Sequence, residues 1–294
     1  MSLDDRQASI TRGTLAAGPF ELAYTVEGEG RPVFVIGSAV YYPRTFSAGL
    51  RRSLRLVFAD HRGFARATGP YGPADYTLDR VVADMEAMRE HLGLETMVVV
   101  GHSGHGFLAL EYAKRYPERV SHVVMIASRP SNGPAHAELT ERHWHEAVCP
   151  ARKARQDAEW ARLPAELEAD PDRRFITFCL RMGPRSWYDA AFDAAPLWAD
   201  VPVTMPVMDH LWGEAFRDIR IEDGLEGLQV PVLLALGRHD YLVGPESAWD
   251  AYRDRFADLT VKVFDRSSHT PQLEESALFD AELLSWLDSR PTAC

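Results

Sequence analysis

Short apolar runs alternate with helix-like segments along the first 126 residues of this chain, and that alternation constrains the fold most. Residues 20–26 alternate polar and apolar side chains as a strand does. Four later runs are apolar almost throughout and rich in β-branched residues, which is typical of strands that helices cover on both faces; they span residues 33–36, 56–59, 97–100 and 123–126. Helical patterns cover residues 78–92 and 106–115. The pattern predicts an α/β fold with a mostly parallel sheet and right-handed crossovers.

The alternation is interrupted after Pro130 and resumes only near residue 230. Residues 131–226 are helix-like, with turn signals but no convincing series of strands. Strand-like runs return at residues 230–236 and 261–264, with a helical pattern at 246–256 between them and a last amphipathic pattern at 273–287. A helical insertion within one α/β core is the simplest explanation. We therefore predict a core of residues 1–130 and 227–294, and a helical cap of residues 131–226.

Composition and charge exclude several classes of function. With 32 basic and 43 acidic residues among 294, the chain has a net charge of -11, which argues against nucleic acid or an anionic membrane as partner. No stretch of about 18 apolar residues is present to span a bilayer, and the first residues lack the apolar run of a signal peptide. Cys149, Cys179 and Cys294 form neither a disulfide framework nor a metal pattern. We expect a cytoplasmic monomer or homodimer whose partner is a small-molecule substrate.

Ser103 stands where a predicted strand runs directly into a predicted helix, within the run GHSGHG of residues 101–106. A serine on so sharp a turn presents its hydroxyl at the carboxyl edge of the sheet. The first N–H groups of the following helix, and the positive end of its dipole, favour negative charge at that point. We predict that Ser103 is a nucleophile, and that His105 must find room beside the turn, where a small residue is usual.

A serine hydroxyl is a weak nucleophile at neutral pH and needs an adjacent base. Among the 11 histidines, His269 follows the last strand-like run, so its side chain can reach back across the carboxyl edge of the sheet. Asp240 ends the preceding strand-like run in a G-x-x-D turn, and it is the carboxylate expected to orient that base. Asp265 is a local competitor that we expect to face solvent.

The other histidines have simpler interpretations. His61, His91 and His122 are typical of surface or strand-end positions. His143 and His145 form an H-x-H pair in the predicted cap, but no third ligand has suitable spacing. The sequence therefore predicts no metal, and nucleophilic catalysis by Ser103 calls for no cofactor.

Acyl transfer places negative charge on a carbonyl oxygen, which two backbone N–H groups usually hold. One donor is expected to be Gly104, the residue after the nucleophile. The other is expected from the loop after the strand at residues 33–36, where Ser38 is the first choice and Ala39 the reserve. The sequence thus predicts an oxyanion hole of Ser38 and Gly104.

Five of the seven tryptophans lie in the predicted cap. Large aromatic side chains there either line a pocket between cap and core or form the cap's own small core. We expect at least one or two of them to contact substrate. The candidate substrate contacts are Ala39, His102, Trp144, Trp187 and Trp212.

The run GHSGHG resembles the G-x-S-x-G nucleophile elbow of the α/β-hydrolase superfamily, with His105 in place of the final glycine. Residues 60–63 resemble its D-x-R-G turn, and residues 267–274 resemble its S-G-H-x-P-x-x-E segment, with Ser268 in place of glycine. Together with DAAPLW at residues 193–198, these motifs are similar to those of proline-iminopeptidase-like hydrolases, over nearly the whole chain. The resemblance implies an eight-stranded, mostly parallel sheet with helices on both faces, an inserted helical cap, and a triad of Ser103, Asp240 and His269.

The resemblance leaves the substrate open. Peptidases of this branch bind a substrate ammonium with cap carboxylates, and the candidates here are Glu146, Glu159, Glu166, Glu168, Asp193 and Glu214. However, GSAV at residues 37–40 replaces the glycine-rich run typical of those peptidases, and the tryptophan-rich cap suits an apolar substrate. We predict a serine hydrolase of small apolar esters or lactones, with a proline-iminopeptidase-like aminopeptidase as the alternative. A catalytically weak ligand receptor or a lyase on the same fold is a further alternative.

Overall fold

Nine strands form one sheet in the computed structural model of this protein, which describes residues 10–290. They are β1 (Thr11–Ala17), β2 (Phe20–Glu27), β3 (Arg31–Gly37), β4 (Leu54–Asp60), β5 (Arg66–Ala67), β6 (Met97–His102), β7 (Val120–Ile126), β8 (Val232–Gly237) and β9 (Leu259–Phe264). Eight of them follow the order β1-β2-β4-β3-β6-β7-β8-β9 across the sheet, and the two-residue β5 pairs with β2. The expectations that concern residues 1–9 and Cys294 lie outside the described residues.

Parallel pairing dominates the sheet. β2 pairs antiparallel with β1, β4 and β5, and every pair from β4 across to β9 is parallel. The predicted α/β fold with a mostly parallel sheet is therefore confirmed. β1 and β5 were not among the predicted strands, and both lie on the antiparallel side of the sheet beside β2.

Ten α-helices accompany the sheet within residues 10–290. They are α1 (Leu78–His91), α2 (His105–Arg115), α3 (Pro134–Ala147), α4 (Pro150–Ala169), α5 (Arg174–Arg181), α6 (Gly183–Ser186), α7 (Met205–His210), α8 (Phe216–Asp218), α9 (Pro271–Glu274) and α10 (Ser276–Ser289). A π-helical stretch, Leu211–Ala215, joins α7 to α8. None of the helices in this range is long and apolar enough to cross a membrane.

Helices cover both faces of the sheet, because side chains of a strand point alternately to its two faces and those of the central strands are apolar on both. In β6, Val99 belongs to a buried cluster with Met85 of α1 and Leu108 of α2. Its neighbour Val98 belongs to a second buried cluster, which contains Phe279 of α10. Burial on both sides explains why such runs are apolar throughout.

The part of the chain between β7 and β8 contains α3 to α8, and within the described residues no strand falls there. We call residues 131–226 the cap segment. Their division from residues 1–130 and 227–294 as a separate unit stays a prediction.

Two helix predictions need correction. Residues 246–256 form two short 3-10 turns, Glu246–Trp249 and Arg253–Arg255, instead of one helix. Trp249 is 1% exposed and its indole N–H donates to the Ser128 carbonyl (3.1 Å), so tertiary packing outweighs the local preference for helix. The predicted helix at residues 273–287 is divided between α9 and α10.

Candidate active site

Ser103 lies in the turn between β6 and α2. Its φ angle is 58°, in the left-handed region that a residue with a side chain enters only under strain. The Ser103 N–H donates to the Ile126 carbonyl (2.8 Å), and the Ser128 hydroxyl donates to the Ser103 carbonyl (2.9 Å). A Cβ at Gly101 would lie 2.0 Å from the His105 carbonyl oxygen, so the turn requires glycine there. These contacts fix Ser103 at the carboxyl edge of the sheet.

Asp240 and His269 meet at the same edge, in the loops after β8 and β9. His269 Nδ1 lies 2.8 Å from Asp240 Oδ2, and the two side chains are 9% and 1% exposed. The other carboxylate oxygen accepts from the N–H groups of Leu242 (3.0 Å) and Val243 (3.1 Å). Because a carboxylate only accepts, Nδ1 carries the hydrogen, and the Nε2 lone pair of His269 is left for another donor. A serine nucleophile requires a base in this tautomer.

Glu274 holds the loop that contains His269 in place through hydrogen bonds. Its Oε2 accepts from the N–H groups of Ser268 (2.8 Å) and Thr270 (3.2 Å), one on each side of the histidine. Burial raises the pKa of Glu274 above its usual range, and these N–H bonds oppose the rise. A Cβ at Gly237 would lie 1.9 Å from the Ser268 carbonyl oxygen, so the last residue of β8 must be glycine for the loop to pass. The imidazole is therefore positioned through its backbone as well as through Asp240.

Ser38 and Gly104 line the same cavity as Ser103 and His269. In the part of the chain that the structure describes, neither of their backbone N–H groups donates to another protein atom. Gly104 directly precedes α2, where the first N–H groups of a helix have no intrahelical acceptor. Two unpaired N–H groups beside a nucleophile are the arrangement that stabilises an oxyanion.

Ala39, the reserve donor and a predicted substrate contact, is excluded from the oxyanion role. Its N–H donates to Asp60 Oδ1 (2.7 Å), and the other oxygen of that carboxyl group accepts from the Ala23 N–H (3.2 Å). Burial raises the pKa of Asp60 from its ordinary value of 3.8 to about 7. Asp60, at the end of β4, therefore fixes the position of the loop that contains Ser38.

A chain of four buried side chains connects His61, His105, Tyr42 and His102, and we call it the buried histidine chain. His61 Nε2 lies 3.0 Å from His105 Nε2, and His105 Nδ1 lies 2.9 Å from the Tyr42 hydroxyl. That hydroxyl lies 3.3 Å from His102 Nδ1. His105 finds room beside Ser103 because its ring packs within this polar network.

The two ends of the buried histidine chain fix the direction of its hydrogen bonds. At one end the Gly63 N–H donates to His61 Nδ1 (2.9 Å), so the hydrogen of His61 is on Nε2 and is donated to His105. At the other end the His269 carbonyl can only accept, so His102 Nε2 donates to it across 2.6 Å. One set of tautomers satisfies both ends: His105 Nδ1 carries the hydrogen, with the Tyr42 hydroxyl (2.9 Å) and the His102 carbonyl (3.1 Å) as its acceptors, and the tyrosine hydroxyl donates to His102 Nδ1.

All three rings of the chain are neutral, as this pattern of donors requires. Burial lowers the pKa of His61 and of His102 to about 3, and it lowers that of His105 well below its ordinary value. The chain ends on the backbone of His269, so it supplies a further support for the loop that carries the imidazole.

A cavity of about 290 Å³ opens beside Ser103 and His269. Its lining is largely aromatic, and the cap segment contributes Phe175, Phe178, Trp187, Trp198, Trp212 and Phe216. Cys179 also lines it, and burial raises the pKa of this thiol to about 12. No Asp or Glu of residues 10–290 is among the lining residues, and Arg129 is the one Lys or Arg among them.

The predicted substrate contacts divide into two groups. His102, Trp187 and Trp212 line the cavity. Ala39 and Trp144 do not, and Trp144 packs with Val148 and Tyr241 in a separate buried cluster. The guanidinium of Arg185 lies 4.4 Å above the Trp144 ring, which completes its environment inside the cap segment.

Two further sequence interpretations can be compared with the structure. Asp265 accepts from Arg238 Nε (2.5 Å) and its side chain is 73% exposed, so it faces solvent as expected. His61 follows β4 but is 1% exposed, so a surface interpretation is wrong for it. The rings of Phe64 and Trp212 cover it, at 4.9 and 6.1 Å between ring centroids.

Sequence reasoning assigned no role to Arg129, to Glu274 or to the buried histidine chain. The one signal for the chain was His105 at a motif position that is usually glycine. Glu274 was visible as the last residue of its motif, whereas nothing local marks Arg129. Among residues 10–290, no group of three or more His, Cys, Asp and Glu side chains is arranged to hold a metal ion.

Similarity to known proteins extends over most of the chain. A family model described as alpha/beta hydrolase fold matches residues 35–276. The AB hydrolase superfamily protein YclE of Bacillus subtilis (strain 168) is 42% identical over 269 residues, which cover 92% of this chain and 96% of YclE. The structure of proline iminopeptidase from Mycobacterium smegmatis has a TM-score of 0.71 at 20% identity, covering 95% of this chain and 98% of that chain. An esterase, EaEST, from Exiguobacterium antarcticum has a TM-score of 0.64 at 20% identity, covering 92% and 96%.

The structural likenesses show a shared fold, and the family model and YclE show the family. The predicted resemblance to the α/β-hydrolase superfamily is confirmed, as is the prediction of an enzyme that hydrolyses its substrate. This chain belongs to the α/β-hydrolase family and is a hydrolase.

Proposed function

We propose that this hydrolase cleaves small apolar esters or lactones through an acyl-enzyme on Ser103, with His269 as base and Asp240 as the acid that orients it. The observation that carries the proposal is the 2.8 Å contact between His269 Nδ1 and Asp240 Oδ2, beside the cavity that Ser103 also lines. That contact leaves Nε2 as the proton acceptor that a serine nucleophile needs.

The proposed reaction has two halves. His269 Nε2 accepts the proton of the Ser103 hydroxyl as the serine oxygen attacks the substrate carbonyl, and the N–H groups of Ser38 and Gly104 donate to the oxygen that becomes negative. The imidazolium then gives its proton to the leaving alkoxide, and the acyl group remains on Ser103. In the second half a water molecule gives its proton to His269 and attacks the acyl-enzyme, which releases the acid and restores Ser103.

The charges of the cavity favour an ester or lactone over the N-terminal amine of a peptide. An aminopeptidase needs carboxylates to hold the substrate ammonium, and within residues 10–290 no acidic side chain lines the cavity. Of the cap carboxylates named above, Glu159 and Glu166 both accept from Arg181, and both also pair with Arg162. The aromatic rings that remain offer apolar contact, which suits a neutral substrate.

Hydrolysis by wild-type protein and by Ser103→Ala tests the proposal. The substrates are 4-nitrophenyl butyrate, a γ-lactone and prolyl 4-nitroanilide. Ser103→Ala is expected to lower kcat on the ester or lactone by about 10³-fold or more. The matched control is Ser131→Ala, in the loop before α3, which should leave the rate unchanged. A fluorophosphonate should form one adduct, located on Ser103 by mass spectrometry.

Four results would contradict the proposal. Near-wild-type turnover by folded Ser103→Ala would show that Ser103 is not the nucleophile. A higher kcat/KM for the prolyl anilide than for every ester and lactone would favour the aminopeptidase alternative. Tight binding of these compounds without product, and without a fluorophosphonate adduct, would favour a ligand receptor, and cleavage without net hydrolysis would favour a lyase.

The proposal also covers the cap, the cellular location, the oligomeric state and the partner of the enzyme. We propose that residues 131–226 act as a cap over the cavity, that the protein works in the cytoplasm as a monomer or homodimer, and that its partner is the substrate alone. The apolar rings contributed by the cap segment and the aromatic lining of the cavity support the first point. The absence of a spanning helix in residues 10–290 is compatible with the second.

A further inference from the structure

Arg129 is partly buried and has no carboxylate partner among the described residues, whereas three buried arginines of this protein each pair with a carboxylate. Arg62 pairs with Asp84 and Arg185 pairs with Glu141, each at 2.5 Å. Arg89 likewise pairs with its neighbour one helical turn away, at 2.8 Å. Among residues 10–290, Arg129 has no Asp or Glu oxygen within 4.0 Å of its guanidinium nitrogens, although it lines the cavity beside Ser103.

The protein atoms around Arg129 leave much of its hydrogen-bonding capacity unused. Its Nη2 donates to the Leu242 carbonyl, and within the described residues Nε and Nη1 have no protein acceptor. A guanidinium has five N–H donors in a planar fork. Burial lowers the pKa of Arg129, because the charged form is poorly solvated there. A cation that is partly withdrawn from water is stabilised when an anion pairs with it.

Asp240 is the acid whose charge acts on Arg129, but it is not free to pair with it. Oδ2 of Asp240 is bound to His269, and Oδ1 accepts the N–H groups of Leu242 and Val243. The charge of Asp240 is therefore directed to the imidazole. The open donors of Arg129 thus have no carboxylate partner among residues 10–290.

We propose that Arg129 is a carboxylate-binding subsite, and that the natural substrate is an ester or lactone that carries a free carboxylate besides its apolar part. This inference rests on the proposed function and names its substrate class. Arg129 follows Ser128, whose hydroxyl is bonded to the Ser103 carbonyl at 2.9 Å, so the subsite lies close to the nucleophile. The aromatic part of the cavity, with Phe178 and Trp198, takes the apolar part of the substrate.

The charge and shape of the subsite select a carboxylate among anions. A planar guanidinium fork matches the two oxygens of a carboxylate. A phosphate monoester carries nearly two negative charges, and within residues 10–290 no second Arg or Lys lines the cavity to balance them. A volume of about 290 Å³ limits the substrate to a small molecule.

Two esters that differ only in charge test the subsite. The first is the mono-4-nitrophenyl ester of glutaric acid, and the second is the same ester with the free carboxylate replaced by a carboxamide. We expect wild-type kcat/KM to be about 10- to 100-fold higher for the acid than for the amide, as charge-assisted hydrogen bonds allow. Arg129→Gln removes the charge but keeps an N–H for the Leu242 carbonyl, and it should bring the ratio close to one. Arg129→Lys should restore part of the preference.

A binding experiment separates this inference from the proposed function. Calorimetry measures the affinity of wild type and Arg129→Gln for 4-phenylbutyrate and for 4-phenylbutyramide, neither of which needs turnover. Arg129-dependent preference for the carboxylate, without hydrolysis of any ester, would support the subsite and overturn the function. Ser103-dependent hydrolysis with equal rates for the acid and the amide, or an equal loss on both in Arg129→Gln, would support the function and overturn the subsite. Thermal unfolding of each variant shows that it is folded.

Discussion

The wall of the cavity that comes from the strand-end loops is held by hydrogen bonds, whereas the wall that comes from the cap segment is held by ring packing. On the first wall, Asp240, Glu274 and Asp60 each accept at least two hydrogen bonds that fix a loop. On the second, Phe175 packs on Trp212 with ring centroids 4.9 Å apart, and no directed bond orients either ring. Hydrogen bonds determine where reacting atoms lie, and packing determines the volume left for substrate.

This difference predicts which kinetic constant each wall controls. Changes on the strand-end wall disturb atoms that stabilise the transition state, so they should lower kcat. Changes on the cap wall disturb contacts that substrate and transition state share, so they should raise KM. The following variants test that division.

Asp240→Asn should have the largest effect. The asparagine amide can donate to His269 Nδ1, which would move the ring hydrogen to Nε2 and remove the base. We expect kcat to fall about 10⁴-fold with little change in KM. Asp265→Asn is the matched control, because Asp265 pairs with Arg238 at the surface and should tolerate the change. A loss of less than tenfold in Asp240→Asn, measured with 4-nitrophenyl butyrate, would contradict the assignment.

Asp60→Asn should change the pH dependence of stability. The folded-state pKa of Asp60 is raised from 3.8 to about 7, so the folded protein binds its proton more tightly than the unfolded chain does. The stability contributed by this group is present below pH 3.8 and is lost as the pH rises to about 7. A shift of this size corresponds to about 4 kcal/mol at most.

The measurement is urea unfolding of wild type and Asp60→Asn between pH 4 and pH 8. The free energy of unfolding of the wild type should fall relative to that of the variant from pH 4 to about pH 7 and level off towards pH 8. A difference that does not change with pH would mean that Asp60 ionises normally, and that the Ala39 loop is not held by a protonated carboxyl group.

His105→Phe should destabilise the protein by about 2–4 kcal/mol. The change leaves the Nε2–H group of His61 and one lone pair of the Tyr42 hydroxyl without partners, and each buried orphan costs about 1–3 kcal/mol. Because His102 still donates to the His269 carbonyl, kcat should fall less than in Asp240→Asn. The control is His91→Phe at an exposed position, which should change the free energy of unfolding by less than about 0.5 kcal/mol. Equal stability of the two variants would show that the buried histidine chain contributes nothing.

The sequence predicts the residues of the strand-end wall better than those of the cap wall, and the reason is geometric. Parallel strands end at one edge of a sheet, so a motif at a strand end already specifies where its side chain lies. Ser103, Asp240 and His269 follow β6, β8 and β9, and the sheet brings these loops together whatever the rest of the chain does. The glycine positions in the motifs mark the same loops, because only glycine permits their close approach.

The buried histidine chain and Arg129 lay beyond sequence reasoning. His61, Tyr42 and His105 come from three separate parts of the chain, and the hydrogen bonds among them depend on ring orientations that no local pattern encodes. The missing partner of Arg129 is a property of the assembled cavity, since an arginine after a strand is ordinary until its surroundings are known. In the cap segment, the orientation of short helices decides which tryptophans face the cavity.

The smallest expected effect is a difference in KM between the variants Trp187→Leu and Trp144→Leu. Trp187 lines the cavity and packs on Phe192 with ring centroids 4.3 Å apart, whereas Trp144 is buried inside the cap segment. Both variants should lose stability, because both rings are buried. Only Trp187→Leu should raise KM for an aryl ester, by about fivefold for a lost contact of about 1 kcal/mol, with kcat nearly unchanged. The same rise in KM for both variants would mean that the cap segment acts through its overall packing, whereas a fall in kcat for Trp187→Leu would mean that this wall also positions the reacting atoms.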